Sequence, residues 1–238
     1  MIKERFLSRE MKDLHILSID TSGKIASAAI CTEENIIASY IIQTEHTHSQ
    51  VMLPLCKKMI EDADFNLENV DIFAVANGPG SYTGLRIGIS IIKAMAFALN
   101  KKCVGVSTLE GLAYNLIGHN TYICPIMKAR QELVYTALFK CIDGKINRIE
   151  DDAIISIEDL YEKLIKINDT IIFNGDGIDL FFERYNKNNF VKAPVNLRFQ
   201  SAVGIAMAAF NKKADSPHDL NAEYLQLTKA EKDINKEK

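Results

Sequence analysis

The first residues whose types could do chemistry lie at the end of a predicted strand. Asp20 closes an apolar run that begins at Leu14, and Thr21, Ser22 and Gly23 follow it. A carboxylate beside two hydroxyls can hold a phosphate, or a metal ion bound to one. The same residues also fit an Asx-type turn, in which Asp20 caps its own loop. Taken alone, they favour the turn, and phosphate binding remains the alternative.

A second candidate is the glycine-rich stretch of residues 77–88, between an apolar run at 70–76 and a predicted helix at 85–99. Such a turn exposes backbone N–H groups at a helix start, where the helix dipole favours an anion. The spacing fits neither G-x-x-x-x-G-K-[ST] nor G-x-G-x-x-G, so a tight packing turn is an equal alternative. The candidate nucleotide- or anion-binding residues of the two stretches are Asp20, Thr21, Ser22, Gly78, Gly80 and Ser81.

His46 and His48 could supply two metal ligands, but no Asp, Glu or Cys lies nearby at suggestive spacing. We therefore predict a polar loop or helix cap here, with no metal. The five cysteines also lack ligand spacing, and their odd number does not suggest a disulfide framework. Buried free thiols in a reducing compartment are expected.

Two predicted helices suggest a surface for association. The helix at 85–99 is apolar on nearly all sides, with Lys93 as its only charge beyond Arg86, so both of its sides must be covered. One side can face a sheet, and the other needs a second helix or another chain; burial within one domain is the alternative. A helix at 49–63, capped by Ser49, is the expected neighbour. The candidate partner-interface residues are Met52, Leu55, Met59, Leu85, Arg86, Ile87, Ile91 and Met95.

The elements that must position these residues occur twice along the chain. Three strands, a helix, a strand, a glycine loop and a helix can be traced in each half, without an obvious sequence repeat. This order predicts an α/β protein with two lobes of mixed sheet flanked by helices and a cleft between them. We place the lobes at residues 1–110, with the association helices, and 111–238, with a polar tail.

Composition limits the function classes. The chain has 238 residues, 47% of them hydrophobic, and a net charge of −3. No basic stripe typical of a protein that grips nucleic acid by itself is visible. The apolar run at 87–99 is too short to span a bilayer, and residues 1–12 are charged rather than signal-like. We expect a cytoplasmic protein with no membrane contact.

Together, four motifs resemble the TsaB family, also called YeaZ. The match covers most of the chain, and its most specific motif is the glycine stretch. The motifs are Ile-Asp-Thr-Ser at 19–22, His-Ser-Gln at 48–50, Gly-Pro-Gly-Ser-Tyr-Thr-Gly-Leu-Arg-Ile-Gly at 78–88 and Val-Gly-Val-Ser-Thr-Leu at 104–109. The resemblance implies two RNase H-like lobes with the actin/Hsp70/sugar-kinase-like fold. It also implies a role in making N6-threonylcarbamoyladenosine at position 37 of tRNA.

The resemblance further implies a non-catalytic scaffold that pairs with a TsaD-like transferase. A TsaE-like ATPase resets that complex, and tRNA is reached only through the complex. Family members self-associate through helices matching 49–63 and 85–99, so a homodimer is expected for the chain alone. The resemblance assigns no cofactor to the chain itself and leaves ATP or ADP at the complex interface open.

Three departures from the family pattern bear on function. TsaD-like chains carry a His-x-x-x-His metal pair, whereas His46 and His48 are two residues apart. Lys128 stands where many relatives have Asp, and Tyr224 is kept where relatives show Pro-x-Tyr-x-Arg, with Gln226 in place of the Arg. We therefore assign no catalytic residue. A stand-alone nucleotide-binding enzyme of kinase type is the main alternative, and a glycoprotease-like peptidase is the weaker one.

Overall fold

Two five-stranded mixed sheets organise the computed structural model, which describes residues 13–43 and 45–225. The first sheet contains β1 (Ile16–Asp20), β2 (Ile25–Cys31), β3 (Ile36–Gln43), β4 (Ile72–Gly78) and β5 (Lys102–Ser107). The second contains β6 (Tyr122–Lys128), β7 (Leu133–Ile142), β8 (Lys145–Ser156), β9 (Ile171–Asn174) and β10 (Phe190–Lys192). The predictions made for residues 1–12, Gln226 and the charged end at 229–238 lie outside the described residues.

The two sheets share one topology. The strand order is β3-β2-β1-β4-β5 in the first sheet and β8-β7-β6-β9-β10 in the second. In each, the first three strands in sequence are antiparallel, and the last two run parallel to the first. The prediction of two mixed-sheet lobes is therefore confirmed.

Helices cover the sheets. They are α1 (His48–Asp62), α2 (Tyr82–Ala98), α3 (Thr108–Tyr114), α4 (Ile157–Leu164), α5 (Ile178–Phe182) and α6 (Ala202–Ala209). Apolar residues of α1 and α2 pack on one side of the first sheet, and α6 packs on the other. Because both sides are covered, all five residues of β1 are buried. The division at residue 110 stays a prediction, and α6 lies in space with the first sheet.

α1 and α2, the two helices predicted to mediate association, begin earlier than predicted. The predicted start of α2 at residue 85 is wrong, because Ser81 caps the helix: its Oγ accepts a hydrogen bond from the Gly84 N–H at 3.2 Å. The predicted Ser49 cap of α1 is also wrong. Thr47 is the N-cap, and its backbone N–H donates to Gln50 Oε1 at 3.3 Å. The N-cap of each helix is thus a hydroxyl residue before the apolar periodicity, and in α2 its side chain satisfies an N–H of the first turn.

The five cysteines are buried and unpaired, as predicted. Burial raises the pKa of Cys56 and of Cys124 to about 12 in each case. These thiols therefore serve as small apolar core groups rather than as nucleophiles at neutral pH.

Candidate functional site

The glycine loop packs directly onto the turn between β1 and β2. A Cβ on Gly84 would lie 2.0 Å from the Thr21 carbonyl oxygen, and one on Gly80 would lie 2.5 Å from that of Ser22. Thr21 Oγ1 donates to the Gly84 carbonyl at 2.7 Å, and the Ser81 N–H donates to the Ser22 carbonyl at 2.7 Å. The glycines therefore allow two backbone segments to touch.

Several backbone donors at the start of α2 already have partners inside the protein. The Gly84 N–H is bonded to Ser81 Oγ, and the Leu85 N–H donates to the Ser81 carbonyl at 2.8 Å. The Ser81 N–H is used by the β1–β2 turn. Of the two interpretations of the loop, this geometry favours packing; anion binding at this loop stays a prediction.

Asp20 is almost completely buried and bonded within its own turn. Its side chain is 1% exposed, and Oδ1 accepts hydrogen bonds from the Ser22 N–H at 2.8 Å and the Ser22 Oγ at 2.6 Å. The Asx-type turn predicted as one alternative is present. Burial raises the pKa of Asp20 to about 6, against the lowering effect of the two Ser22 hydrogen bonds.

The two histidines lie beside the same turn. His48 Nε2 is 2.7 Å from the Gly23 carbonyl oxygen, which ties the start of α1 to the β1–β2 turn. Within residues 13–43 and 45–225, no three His, Cys, Asp or Glu side chains are grouped as a metal site. A cavity of about 820 Å³ lies next to His46 and His48 and extends to Thr83 and Ile87 on α2.

A second cavity, of about 800 Å³, lies between the two lobes. The first lobe contributes the β1–β2 turn and the glycine loop, and the second contributes residues 127–130 with Tyr135 and Asp176. The Lys128 N–H donates to Asp176 Oδ1 at 2.9 Å, and burial raises the pKa of this carboxyl. Lys24, Lys128 and Arg130 line this inter-lobe cleft and give it three basic side chains.

Residues 215–225, here the C-terminal strap, run back along the first lobe. Cys103 pairs with Asp215 in a short antiparallel bridge. Further along, the Glu223 N–H donates to the Asn77 carbonyl at 2.7 Å, and Asn77 Nδ2 donates to Glu223 Oε1 at 3.2 Å. Gly78 has φ +136°, and a Cβ there would lie 2.1 Å from the Glu223 carbonyl oxygen. This second use of the glycine loop was not predicted.

An aromatic cluster joins the strap to the start of α2. The rings of Tyr82 and Tyr224 stack with centroids 4.8 Å apart, and the Arg86 guanidinium lies 4.1 Å from the Tyr82 ring centroid. Arg86 Nε donates to the Tyr224 hydroxyl at 3.2 Å. Sequence reasoning missed this contact, although the retained Tyr224 in an otherwise altered motif was a signal for it.

The α1–α2 face is the outer surface of helices α1 and α2. Leu53 is 54% exposed and Phe97 is 48% exposed, and a groove of about 550 Å³ lies between the helices. The groove is lined by Ser49, Leu53, Tyr82, Thr83, Arg86, Ile87, Ser90 and Ile91.

The predicted interface residues divide into three groups in the structure, according to their exposure. Met52, Met59 and Leu85 have no exposed surface, so they support the α1–α2 face from within the core and do not form its outer surface. Arg86 is exposed at the groove. The partly buried members of the predicted set are Leu55, Ile87, Ile91 and Met95.

The paired sheets and the cleft between them define the structural class of the protein. It is a two-lobed RNase H-like protein with the actin-like ATPase fold. A solved structure of YeaZ from Pseudomonas aeruginosa matches 89% of this chain and 100% of its own, with a TM-score of 0.74 and 23% identity. The ethanolamine utilization protein EutJ from Carboxydothermus hydrogenoformans matches 83% of this chain and 91% of its own, at TM-score 0.53 and 12% identity. These two structural similarities establish the fold of the chain and nothing about its activity.

Sequence comparison identifies the family. The family model described as TsaD, tRNA N6-adenosine threonylcarbamoyltransferase, matches residues 35–237. The tRNA threonylcarbamoyladenosine biosynthesis protein TsaB of Bacillus subtilis is 32% identical over 219 residues, which cover 91% of this chain and 96% of that protein. The chain belongs to the TsaB family of tRNA threonylcarbamoyladenosine biosynthesis proteins, as its motifs predicted.

None of the helices described between residues 13 and 225 combines the length and the apolar character needed to cross a bilayer.

Proposed function

We propose that this chain is the non-catalytic scaffold of the complex that attaches the threonylcarbamoyl group to adenosine 37 of tRNA. It pairs with a TsaD-type transferase through the α1–α2 face. The observation that carries the proposal is this exposed apolar groove on two helices, in a chain similar to TsaB over 91% of its length.

The chemistry-bearing residues of the first lobe support a structural role. Asp20 is buried and bonded to Ser22, and His48 is held against the Gly23 carbonyl. Gly80 and Gly84 are in backbone contact with the β1–β2 turn. A reacting group must reach its substrate, so these residues are better placed to shape the surface beside α2 than to react.

The proposal includes the wider assembly. A TsaE-type ATPase acts on the pair, tRNA is contacted through the complex, and the chain forms a homodimer through the same face when the transferase is absent. The complex works in the cytoplasm. ATP or ADP at the complex interface, and an anion at the Asp20 turn and glycine loop, are further predictions of the same assignment.

A charge in the groove tests the proposal. Because Ile91 lines the groove and Leu53 is 54% exposed, we expect Ile91→Glu and Leu53→Glu each to lower co-purification with the TsaD-type protein of the same cell at least tenfold. Threonylcarbamoyladenosine in tRNA, measured by mass spectrometry of nucleosides, should fall with it. Ile149→Glu, at a 51% exposed position of β8, is the control. Normal pairing and modification in both groove variants would overturn the proposal.

The inter-lobe cleft favours a second candidate function, a nucleotide-binding enzyme of kinase type. Lys24, Lys128 and Arg130 line a cavity of about 800 Å³, a volume that can accept a nucleotide. Calorimetric titration of the isolated chain with Mg-ATP, together with a phosphoryl-transfer assay, separates the two functions. Micromolar binding with transfer would favour the enzyme, and the absence of both would remove it.

A further inference from the structure

We propose that the outer edge of β3 is a second self-association surface, at which two copies of this chain pair β3 with β3 in antiparallel register about Ser39. The pairing would join two first-lobe sheets into one ten-stranded sheet across a two-fold axis. This surface is separate from the α1–α2 face, and the proposal does not depend on the assigned function.

The first observation is the composition of this edge. β3 is the outermost strand of the first sheet, and no described element pairs with its outer side. Its eight residues carry no charge. Four of them are large, exposed apolar side chains: Ile36 at 55%, Ile37 at 38%, Ile41 at 58% and Ile42 at 38%.

The edge of the second sheet is built differently. β8 occupies the equivalent outer position there and carries the charged residues Lys145, Arg148, Glu150, Asp151 and Asp152. Charged side chains on an edge strand normally prevent pairing with another chain. Of the two equivalent outer strands, β8 is therefore protected against pairing with another chain and β3 is not. This difference indicates that the edge of β3 has a partner.

The order of residues in β3 identifies that partner as a second copy. Residues 36–42 read Ile-Ile-Ala-Ser-Tyr-Ile-Ile, which is nearly the same in both directions about Ser39. In an antiparallel pair on a two-fold axis through residue 39, positions equally far from 39 face each other. Tyr40 then faces Ala38 of the other copy, and Ile41 faces Ile37, whereas Ile36 lies beyond the β-bulge at Ile37 and outside this regular register. Such apolar cross-strand pairs stabilise a sheet.

A β-bulge limits the extent of the contact. The ladder to β2 pairs Ala38 with Ile30 and Ile36 with Cys31, so Ile37 is an extra residue near the start of β3. Residues 38–43 pair regularly with β2. We therefore expect the tightest contact at Ser39 and Tyr40, and a weak dimer, because one strand pair buries less area than a standard interface.

A single cysteine on the axis tests this register. The side chain of Ser39 is exposed, and the five native cysteines are buried. In the proposed pair, the Cβ atoms of two Ser39→Cys residues lie about 5 Å apart. Two Gln43→Cys residues, on the same edge, lie about 27 Å apart, because eight strand positions separate them.

Mild oxidation should convert Ser39→Cys to a disulfide-linked dimer at least tenfold faster than Gln43→Cys, and denaturant should abolish the difference. Equal rates for the two variants in the native state would overturn the proposal. This outcome includes the case in which β3 pairs with a strand of another protein instead of a second copy.

Sedimentation in the Ile91→Glu background separates the two surfaces. With the α1–α2 face disrupted, concentration-dependent dimerisation should remain, and Ile41→Lys should raise its dissociation constant at least tenfold. Ile149→Lys, on the protected edge, should leave it unchanged. A chain that is monomeric at all concentrations once Ile91 is replaced would overturn this proposal while leaving the scaffold function standing.

Discussion

At the scale of single residues, Asp20 illustrates how a carboxylate can look catalytic and be structural. Its neighbours Thr21 and Ser22 have the types expected of a phosphate site, yet Ser22 bonds to Asp20 and Thr21 bonds to the Gly84 carbonyl. Asp20 and Ser22 are thus bonded to each other within the β1–β2 turn, and Thr21 and the Ser81 N–H hold the glycine loop on that turn. This arrangement has a measurable pH dependence.

We expect Asp20→Asn to stabilise the protein near neutral pH. The pKa of Asp20 in the folded state is about 6, above the ordinary 3.8, so the folded state binds the proton more tightly than the unfolded state. This contribution to stability is complete below about pH 4 and is lost as the pH rises through about 6. The difference in free energy of unfolding between Asp20→Asn and wild type should therefore grow by up to about 3 kcal/mol as the pH rises from below about 4 to well above about 6.

Urea unfolding at several pH values measures this difference, with Asp13→Asn, in the exposed segment before β1, as the control. A difference between Asp20→Asn and wild type that does not change with pH would contradict the assigned protonation.

Tyr224 supports a second prediction at this scale. Tyr224→Ala removes both the ring stack on Tyr82 and the hydrogen bond from Arg86, and should lower the free energy of unfolding by about 1–2 kcal/mol. Tyr224→Phe keeps the stack and should have an effect of about 0.5 kcal/mol or less, because the lost hydrogen bond is exposed. Chemical denaturation measures both; equal losses would show that the ring stack contributes nothing.

At the scale of elements, the glycine loop and α2 form one unit with the β1–β2 turn. Gly84 lies in the first turn of α2, where alanine would favour the helix by up to about 1 kcal/mol. A Cβ there would nevertheless lie 2.0 Å from the Thr21 carbonyl oxygen, a backbone atom that cannot move aside alone. Steric overlap should therefore outweigh helix propensity.

We expect Gly84→Ala to destabilise the protein by at least about 2 kcal/mol. Ser90→Ala, at an exposed position of the same helix, should be neutral or slightly stabilising. Thermal and urea unfolding of the two variants check this, and similar stabilities would show that the loop and the turn are not in close contact.

At the scale of the whole molecule, the first sheet depends on a helix from the far end of the chain. Ala202, Ile205 and Ala206 of α6 share a buried cluster with residues of β1, β2, β4 and β5. Gly204 brings α6 so close to α3 that a Cβ would lie 2.2 Å from the Gly111 carbonyl oxygen. The predicted lobes, 1–110 and 111–238, therefore share a core.

We expect a fragment of residues 1–110 to fail to fold cooperatively, because the side of its sheet that α6 covers would face water. The fragment should bind a hydrophobic dye and lack a sharp thermal transition. Mixing it with a fragment of residues 111–238 should abolish the dye binding and restore the thermal transition of the full chain. A fragment that unfolds cooperatively on its own would show that α6 is dispensable for the first lobe.

The sequence alone determined the order of strands and helices, because periodicity and turn residues act over a few neighbouring positions. Its motifs, by resemblance, also pointed to the family. The tertiary structure decided between alternatives that the sequence left open. It gave the glycines a packing role, placed Met52, Met59 and Leu85 inside the core, and brought Tyr224 onto Arg86, 138 positions away. Contacts of this kind depend on how distant segments meet in space, and the residue types at either end do not specify that meeting.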